Sequence, residues 1–196
     1  ATLTNDNARK EAIYKKTVEL YPNDFRAYNN LGMMAYANGD LATAENYFKQ
    51  AASKNANAAE VNTNLGLIEL TKGNVANAET YLSKSTGANT ANEALGNLYI
   101  KQGQYDRAVQ AFGDTKTNSA ALAQILAKDY NKAKSTLSAV KNPDAYTNYL
   151  MAVVGARTNN ADLVKSSMDK VKQQDAALAA KAQNDREFAK YANEVK

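Results

Sequence analysis

The sequence contains no cysteine, no histidine and no tryptophan, and only two of its 196 residues are proline. Without cysteine and histidine, a chain cannot form disulfides, thiolate nucleophiles, Cys/His zinc sites or imidazole acid–base catalysts. Carboxylates and lysines remain as candidate catalytic groups, but they are scattered along the chain. We therefore predict that the protein is not an enzyme and that it uses no metal and no cofactor.

Long apolar runs are also missing, since none approaches the roughly 18 residues that a membrane-spanning helix needs. The opening residues, Ala1-Thr2-Leu3-Thr4, do not resemble a signal peptide. A chain without cysteine is compatible with both the cytoplasm and an oxidising envelope. Because Asn, Thr, Ser and Tyr are abundant, we favour a bacterial cell envelope or periplasm over the cytoplasm.

The net charge of +4 is divided unevenly along the chain. Residues 1–100 carry 9 basic and 10 acidic side chains, and residues 101–196 carry 15 basic and 10 acidic ones. An acidic partner for the second half is one interpretation. We favour a solvated surface, because the lysines are dispersed and form no arginine-rich stripe. For the same reason we expect no binding of nucleic acid.

The most informative stretch is Phe25 to Ala58, which has the pattern of a helix hairpin. Apolar residues recur at helical spacing on both sides of an Asn38-Gly39-Asp40 break. Gly39 is suited to end the first helix, and Asp40 can cap the second. Gly32 in the first helix and Ala44 in the second predict a close approach between the two helices.

This hairpin recurs along the chain. Its Leu-Gly pair, Gly turn, Ala and aromatic reappear 34 residues later, in a second copy that includes Leu65-Gly66 and Lys72-Gly73-Asn74. The Leu-Gly pair and the Gly turn reappear after a further 30 residues, in a third copy that includes Leu95-Gly96 and Gln102-Gly103-Gln104. In these residues the chain resembles the tetratricopeptide repeat family, which has this pattern over 34 residues. The resemblance is strongest from Asn23 to Thr115.

The resemblance implies an all-α fold, a right-handed solenoid of stacked helix hairpins. We expect about 10–12 helices with a C-terminal capping helix, in one domain over residues 1–196. The predicted parts are a half repeat (1–22), repeats one to three (23–58, 59–88 and 89–117), a degenerate fourth repeat (118–141), a fifth repeat (143–173) and capping helices (174–196).

Both ends of the chain carry specific expectations. Residues 1–7 are predicted to be a loose lead-in, followed by a helix with contacts at Ala12, Tyr14, Val18 and Leu20. Because this half repeat lacks its first helix, we hypothesise that the chain is a fragment of a longer protein. Near the other end, Asp185 is expected to cap a helix that docks through Phe188, Tyr191 and Val195. In the fifth repeat, Val164 replaces the usual Ala, so looser packing is expected there.

The family resemblance also implies a concave groove lined by the first helix of each repeat. The groove residues that we predict for a peptide or partner are Asn29, Asn30, Met33, Tyr36, Thr63, Asn64, Leu67, Asn97 and Lys101. Asn30 and Asn64 occupy the same repeat position, and aligned carboxamides can hold a peptide backbone. The alternative is that these Asn side chains only solvate the surface.

We therefore predict a non-enzymatic protein-interaction module that binds a peptide or partner domain in this groove. The alternative is a structural spacer or self-assembly segment of a larger bacterial cell-envelope protein. Family members that clamp a C-terminal carboxylate use three cationic side chains and two asparagines at five positions, which here are Asn29, Met33, Asn64, Thr90 and Ala94, so that only Asn64 matches. Because none of these is cationic, we expect no such clamp.

Overall fold

The computed structural model describes residues 2–85 and 87–195, with side chains from Asp6 onward. All regular structure in these residues is helical, which confirms the predicted all-α fold. The chain divides into two compact units, Ala1–Ala94 and Leu95–Lys196, so that the boundary falls inside one helix. The single continuous domain expected from the repeats stays a prediction.

The first unit consists of one leading helix and two helix hairpins. Its helices are α1 (Thr2–Leu20), α2 (Phe25–Ala37), α3 (Leu41–Lys54), α4 (Ala59–Thr71) and α5 (Val75–Ser83), and α6 (Asn89–Lys101) begins in this unit. Asp40 caps α3 as predicted, because its carboxylate accepts a hydrogen bond from the Thr43 N–H. Gly39, with φ of +81°, ends the preceding turn in the left-handed region.

Each hairpin of the first unit closes on a glycine. Gly32 of α2 faces Phe48 of α3, and Gly66 of α4 faces Leu82 of α5. A Cβ atom at either glycine would lie 2.6 Å from the opposing side chain. The paired helices can therefore approach closely only because these positions carry no side chain. Phe48 and Leu82 are each 1% exposed.

The second unit continues the series of helix pairs. Its elements after α6 are α7 (Tyr105–Phe112), α8 (Asn118–Leu126), α9 (Tyr130–Ser138), α10 (Ala145–Arg157), α11 (Ala161–Gln174), α12 (Ala176–Ala182) and a 3-10 segment (Arg186–Tyr191). Within this unit Gly96 faces Phe112, at the same repeat positions as Gly32 and Phe48. The degenerate fourth repeat thus forms two short helices, α8 and α9.

Two turns of the second unit use residues other than glycine in the left-handed region. Lys128, between α8 and α9, has φ of +65°, and Asn159, between α10 and α11, has φ of +54°. Asparagine adopts this conformation readily, whereas lysine does so less often. The hairpin geometry is therefore kept where the repeat pattern has lost its glycine.

The fifth repeat packs more tightly than the sequence suggests. Val164 is fully buried rather than loosely packed. A Cβ atom at Gly155 would lie 2.9 Å from the Val164 backbone nitrogen, so Gly155 provides the space that the larger valine needs. Ala152 occupies the small-residue position as predicted and is also fully buried. The expectation of looser packing was wrong because it considered one helix of the pair alone.

The leading helix differs from its prediction in length and in contacts. α1 begins at Thr2, so residues 2–7 are helical rather than a loose lead-in, while Ala1 lies outside the described residues. An ion pair of 3.0 Å between Lys10 and Asp6 supports these first turns. Of the four expected contacts, Tyr14 and Val18 are half-buried, whereas Ala12 and Leu20 are exposed.

The C-terminal segment packs onto α10. Phe188, Tyr191 and Val195 are buried as predicted. Asp185 is the predicted cap, because its carboxylate accepts a hydrogen bond from the Glu187 N–H, although the element that follows is a 3-10 helix. The segment is held further by polar contacts to α10, of Glu187 with Arg157 and of Asp185 with Tyr149. Burial, and then this bond to Asp185, raises the pKa of Tyr149.

A buried carboxylate stabilises the turn between α4 and α5. Glu69, 6% exposed, accepts hydrogen bonds from Lys72 (3.0 Å), Asn74 (2.9 Å) and Asn77 (3.1 Å). Lys72 also pairs with Glu45 of α3, at 3.1 Å. Burial alone would raise the pKa of Glu69, but the three hydrogen bonds and the charge of Lys72 hold that pKa below its usual value.

We expect Glu69→Gln to lower the free energy of unfolding by about 1–3 kcal/mol near pH 7, because a neutral amide cannot accept all three hydrogen bonds. Since the folded-state pKa is depressed, the stabilisation is present above the unfolded pKa of about 4.3 and disappears as the pH falls through the folded value. The difference between wild type and variant, measured by urea denaturation, should therefore shrink towards pH ~3.

The control is Glu19→Gln, which removes an exposed carboxylate of the same unit that pairs with Lys16. This variant should unfold like the wild type at both pH values, since exposed ion pairs contribute little. A destabilisation by Glu69→Gln that is equally large in acid would contradict the assigned role of the carboxylate.

Candidate binding groove between helices α2 and α4

A groove runs between α2 and α4 within the first unit and has a volume of about 590 Å³. We call it the α2–α4 groove. Its lining residues come from the four helices α2, α3, α4 and α6 and from the residue before α6, and they are Met33, Tyr36, Ala37, Phe48, Ala59, Glu60, Thr63, Asn64, Leu67, Ala88 and Thr90. On α4, the lining residues Glu60, Thr63, Asn64 and Leu67 share one face of the helix, because residues three and four apart on a helix lie side by side.

The wall formed by α2 exposes large apolar side chains. Met33 is 51% exposed and Tyr36 is 41% exposed, so a ligand in the groove would cover apolar surface of both side chains. Leu67 of α4 is half-buried, and Phe48 of α3 lines the same groove while being packed against Gly32. Exposed methionine and tyrosine side chains beside an apolar surface are typical of a binding site.

Asparagine side chains are arranged differently from the predicted row of aligned carboxamides. The Asn64 side-chain amide donates to the Asn29 carboxamide oxygen at 2.9 Å, and Asn29 is buried. The two residues therefore join α4 to α2. The carboxamide oxygen of Asn64 and its second amide N–H remain available to a ligand in the groove.

Asn30 lies in a second cavity, of about 510 Å³, between α1 and α2. This cavity shares Met33 and Ala37 with the α2–α4 groove, and Tyr14 of α1 lies on its other side. Asn30 and Asn64 are therefore placed in neighbouring cavities that meet at Met33. Their predicted joint role in holding a peptide stays a prediction.

The remaining predicted residues are divided between the two units. Met33, Tyr36, Thr63, Asn64 and Leu67 all line the α2–α4 groove. Asn97 and Lys101 are exposed on the part of α6 that belongs to the second unit. The groove of the first unit thus brings together five of the nine predicted residues, and Asn29 supports it from below.

Six lining residues are not among the nine predicted ones, namely Ala37, Phe48, Ala59, Glu60, Ala88 and Thr90. Phe48 belongs to the core of the hairpin and also lines the groove. Ala59 is the first residue of α4 and Ala88 precedes α6, and their small side chains are a signal in the sequence that could have indicated this role.

Two further features of the described residues bear on function. Residues 2–85 and 87–195 contain no cluster of three or more metal-ligating side chains. Within the same residues, no helix is both long enough and apolar enough to span a bilayer.

Comparison with known proteins identifies the repeats. Three models of the tetratricopeptide repeat match residues 13–46, 34–93 and 92–116, and together they cover just over half of the chain. No curated protein sequence matches the chain.

Solved structures with a similar fold include a tetratricopeptide repeat protein and a type IV pilus biogenesis factor. YrrB, a TPR protein with an unusual peptide-binding site, superposes with a TM-score of 0.67 at 19% identity, over 86% of this chain and 97% of YrrB. PilF of Pseudomonas aeruginosa superposes with a TM-score of 0.71 at 12% identity, over 98% of this chain and 92% of PilF. PilW, a widely conserved type IV pilus biogenesis factor, superposes with a TM-score of 0.63 at 19% identity, over 96% of this chain and 92% of PilW.

At these identities the likeness shows the fold alone, and it agrees with the three repeat matches. The family is in general a non-enzymatic interaction fold whose partners are proteins or peptides. The chain therefore belongs to the tetratricopeptide repeat family and is a protein-interaction module.

Proposed function

We propose that this protein binds a peptide segment of a partner protein in the α2–α4 groove and catalyses no reaction. The observation that carries the proposal is the exposure of Met33 and Tyr36 on a groove whose floor includes the buried Phe48. An apolar side chain of a peptide would bury these two residues and fill part of the 590 Å³ volume. Side chains of this kind act as anchors in peptide grooves.

A second candidate function is self-association through α1. Ile13 and Leu20 of this helix and Tyr21 directly after it are at least 60% exposed, which is unusual for three large apolar side chains so close together. Peptide binding in the groove requires no self-association. Light scattering of the purified chain over a range of concentrations therefore separates the two functions.

The groove function is tested by selecting peptides from a random display library on the wild-type chain. The double variant Met33→Glu/Tyr36→Glu should weaken binding of the selected peptides at least tenfold, because it places two charges where an apolar anchor must bind. Binding is measured by fluorescence polarisation with synthetic copies of the peptides. Circular dichroism and thermal unfolding establish that the variant remains folded, as expected for exposed positions.

The matched control is Val75→Glu, which changes another exposed apolar residue of the same unit, at the start of α5. This variant should bind the selected peptides like the wild type. If the peptides bind the Met33/Tyr36 variant as tightly as the wild type, or if the library yields no binder, the α2–α4 groove is not the binding site.

A further inference from the structure

Two carboxylates of the first unit have no partner, although nearly every other charge in that unit does. Six of its carboxylates form ion pairs, namely Asp6, Glu11, Glu19, Asp24, Glu45 and Glu69. Asp40 caps α3, and Glu79 is also engaged. Among the described residues, Glu60 and Glu93 alone of the ten acidic side chains in this unit make no ion pair or hydrogen bond.

One unpaired carboxylate lines the α2–α4 groove, and the other lies one helix turn from a lining residue. Glu60 lines the groove directly. Glu93 follows Thr90, another lining residue, by one turn of α6, so the two side chains share a face of that helix. Glu93 is half-buried and belongs to the first unit. The groove therefore combines an apolar floor with negative charge at its α4 and α6 side.

The helix start beside Glu60 offsets only part of this charge. α4 has Ala58 at its N-cap position and no side-chain cap, so its free N–H groups favour a nearby carboxylate. Glu93 lies beyond the first turn of α6, where this effect has fallen off. Among the described residues, those that line the groove include no lysine or arginine.

The hydrogen-bonding side chains of the groove present more acceptors than donors. One N–H of the Asn64 amide donates to Asn29, and the Thr63 hydroxyl donates to the Ala59 carbonyl at 2.8 Å. What remains for a ligand is the oxygen and the second N–H of Asn64, the two carboxylates, and the Tyr36 and Thr90 hydroxyls, which can donate or accept. The two carboxylates need donors or positive charge from the ligand, which a ligand carboxylate does not supply.

We infer that the α2–α4 groove selects peptides in which an apolar anchor residue stands next to a lysine or arginine. This inference rests on the proposed function and specifies its partner. The anchor packs against Met33, Tyr36 and Leu67, and the basic side chain reaches Glu60 or Glu93. The ring of Tyr36 offers a further favourable surface to the cation.

The test uses an array of short peptides with acetylated and amidated ends, so that no terminal charge contributes. Each contains one central Leu, Met or Phe flanked by Lys, by Gln or by Glu in an otherwise neutral sequence. Wild type should prefer the Lys series over the Gln series by about two- to fivefold, the range expected for exposed charge pairs. Glu60→Gln/Glu93→Gln should abolish that preference, and added salt should reduce it.

The matched control is Glu19→Gln, which removes one negative charge far along α1 and should leave the preference unchanged. Equal binding of the Lys and Gln series by the wild type, or an unchanged preference in the Glu60/Glu93 variant, overturns the inference. In that event Met33→Glu/Tyr36→Glu still decides the proposed function by itself, since it should weaken the Gln and Glu series, to which the added charges offer no attraction. If that variant binds both of these series like the wild type, the groove assignment fails and the inference fails with it.

Discussion

Phe48→Ala is expected to lower the free energy of unfolding by about 3–5 kcal/mol. The side chain is 1% exposed, and its ring lies against the Cα atom of Gly32, so its removal leaves a cavity that the close helix pair cannot fill. Urea denaturation followed by circular dichroism measures the change, and an unchanged slope of the transition would show that the unfolded surface is the same.

A second variant shows whether the loss comes from the contact with Gly32. Gly32→Ala alone should destabilise the wild type by about 1–3 kcal/mol, because the new Cβ atom would lie 2.6 Å from the Phe48 ring. In the Phe48→Ala background the same change should cost much less, since the ring is gone. Strictly additive losses would mean that the two residues do not form one packing contact.

Phe188→Ala is expected to have an effect of similar size in the second unit, about 3–5 kcal/mol. Phe188 is fully buried and meets Tyr149 edge to face, with ring centroids 5.7 Å apart. The loss is measured by thermal unfolding. Limited proteolysis should at the same time cut the chain near Asn184, because the 3-10 segment would lose its main apolar contact.

The control for this variant is Ala189→Ser, which changes an exposed neighbour in the same segment. It should leave both stability and proteolysis unchanged. If Phe188→Ala were equally harmless, the C-terminal segment would not belong to the core of the second unit, and the role of a free arm that binds a partner would become the better interpretation.

Much of the fold could be predicted because the repeat marks both helices and the turn between them. A glycine faces an aromatic or leucine across each of the first three hairpins, and these residues stand at fixed spacing in the sequence. The prediction of looser packing in the fifth repeat failed because two helices compensate for each other, since Gly155 of α10 makes room for Val164 of α11. The turn at Lys128 has the conformation that glycine adopts in the first three hairpins, and the repeat pattern gives no signal for it.

The candidate groove could be predicted in part for the same reason. Repeat positions placed Met33 and Tyr36 of α2 beside Thr63, Asn64 and Leu67 of α4, and the structure brings these residues together. The pairing of Asn64 with Asn29 could not be foreseen, because two neighbouring asparagines of α2 compete for the same partner. Side-chain geometry decides whether Asn64 bonds to Asn29 or to Asn30, and a repeat pattern carries no information on side-chain geometry.

Phe48 belongs at once to the hairpin core and to the groove, and under the proposed function this limits how the protein can acquire new partners. Met33 and Tyr36 stand at the rim and can be exchanged with little cost in stability, so in that function the preferred anchor residue can change freely during evolution. The depth of the groove cannot change as freely, since any smaller or larger residue at Phe48 also loosens or strains the contact with Gly32. Related chains should therefore vary at the rim and keep the floor.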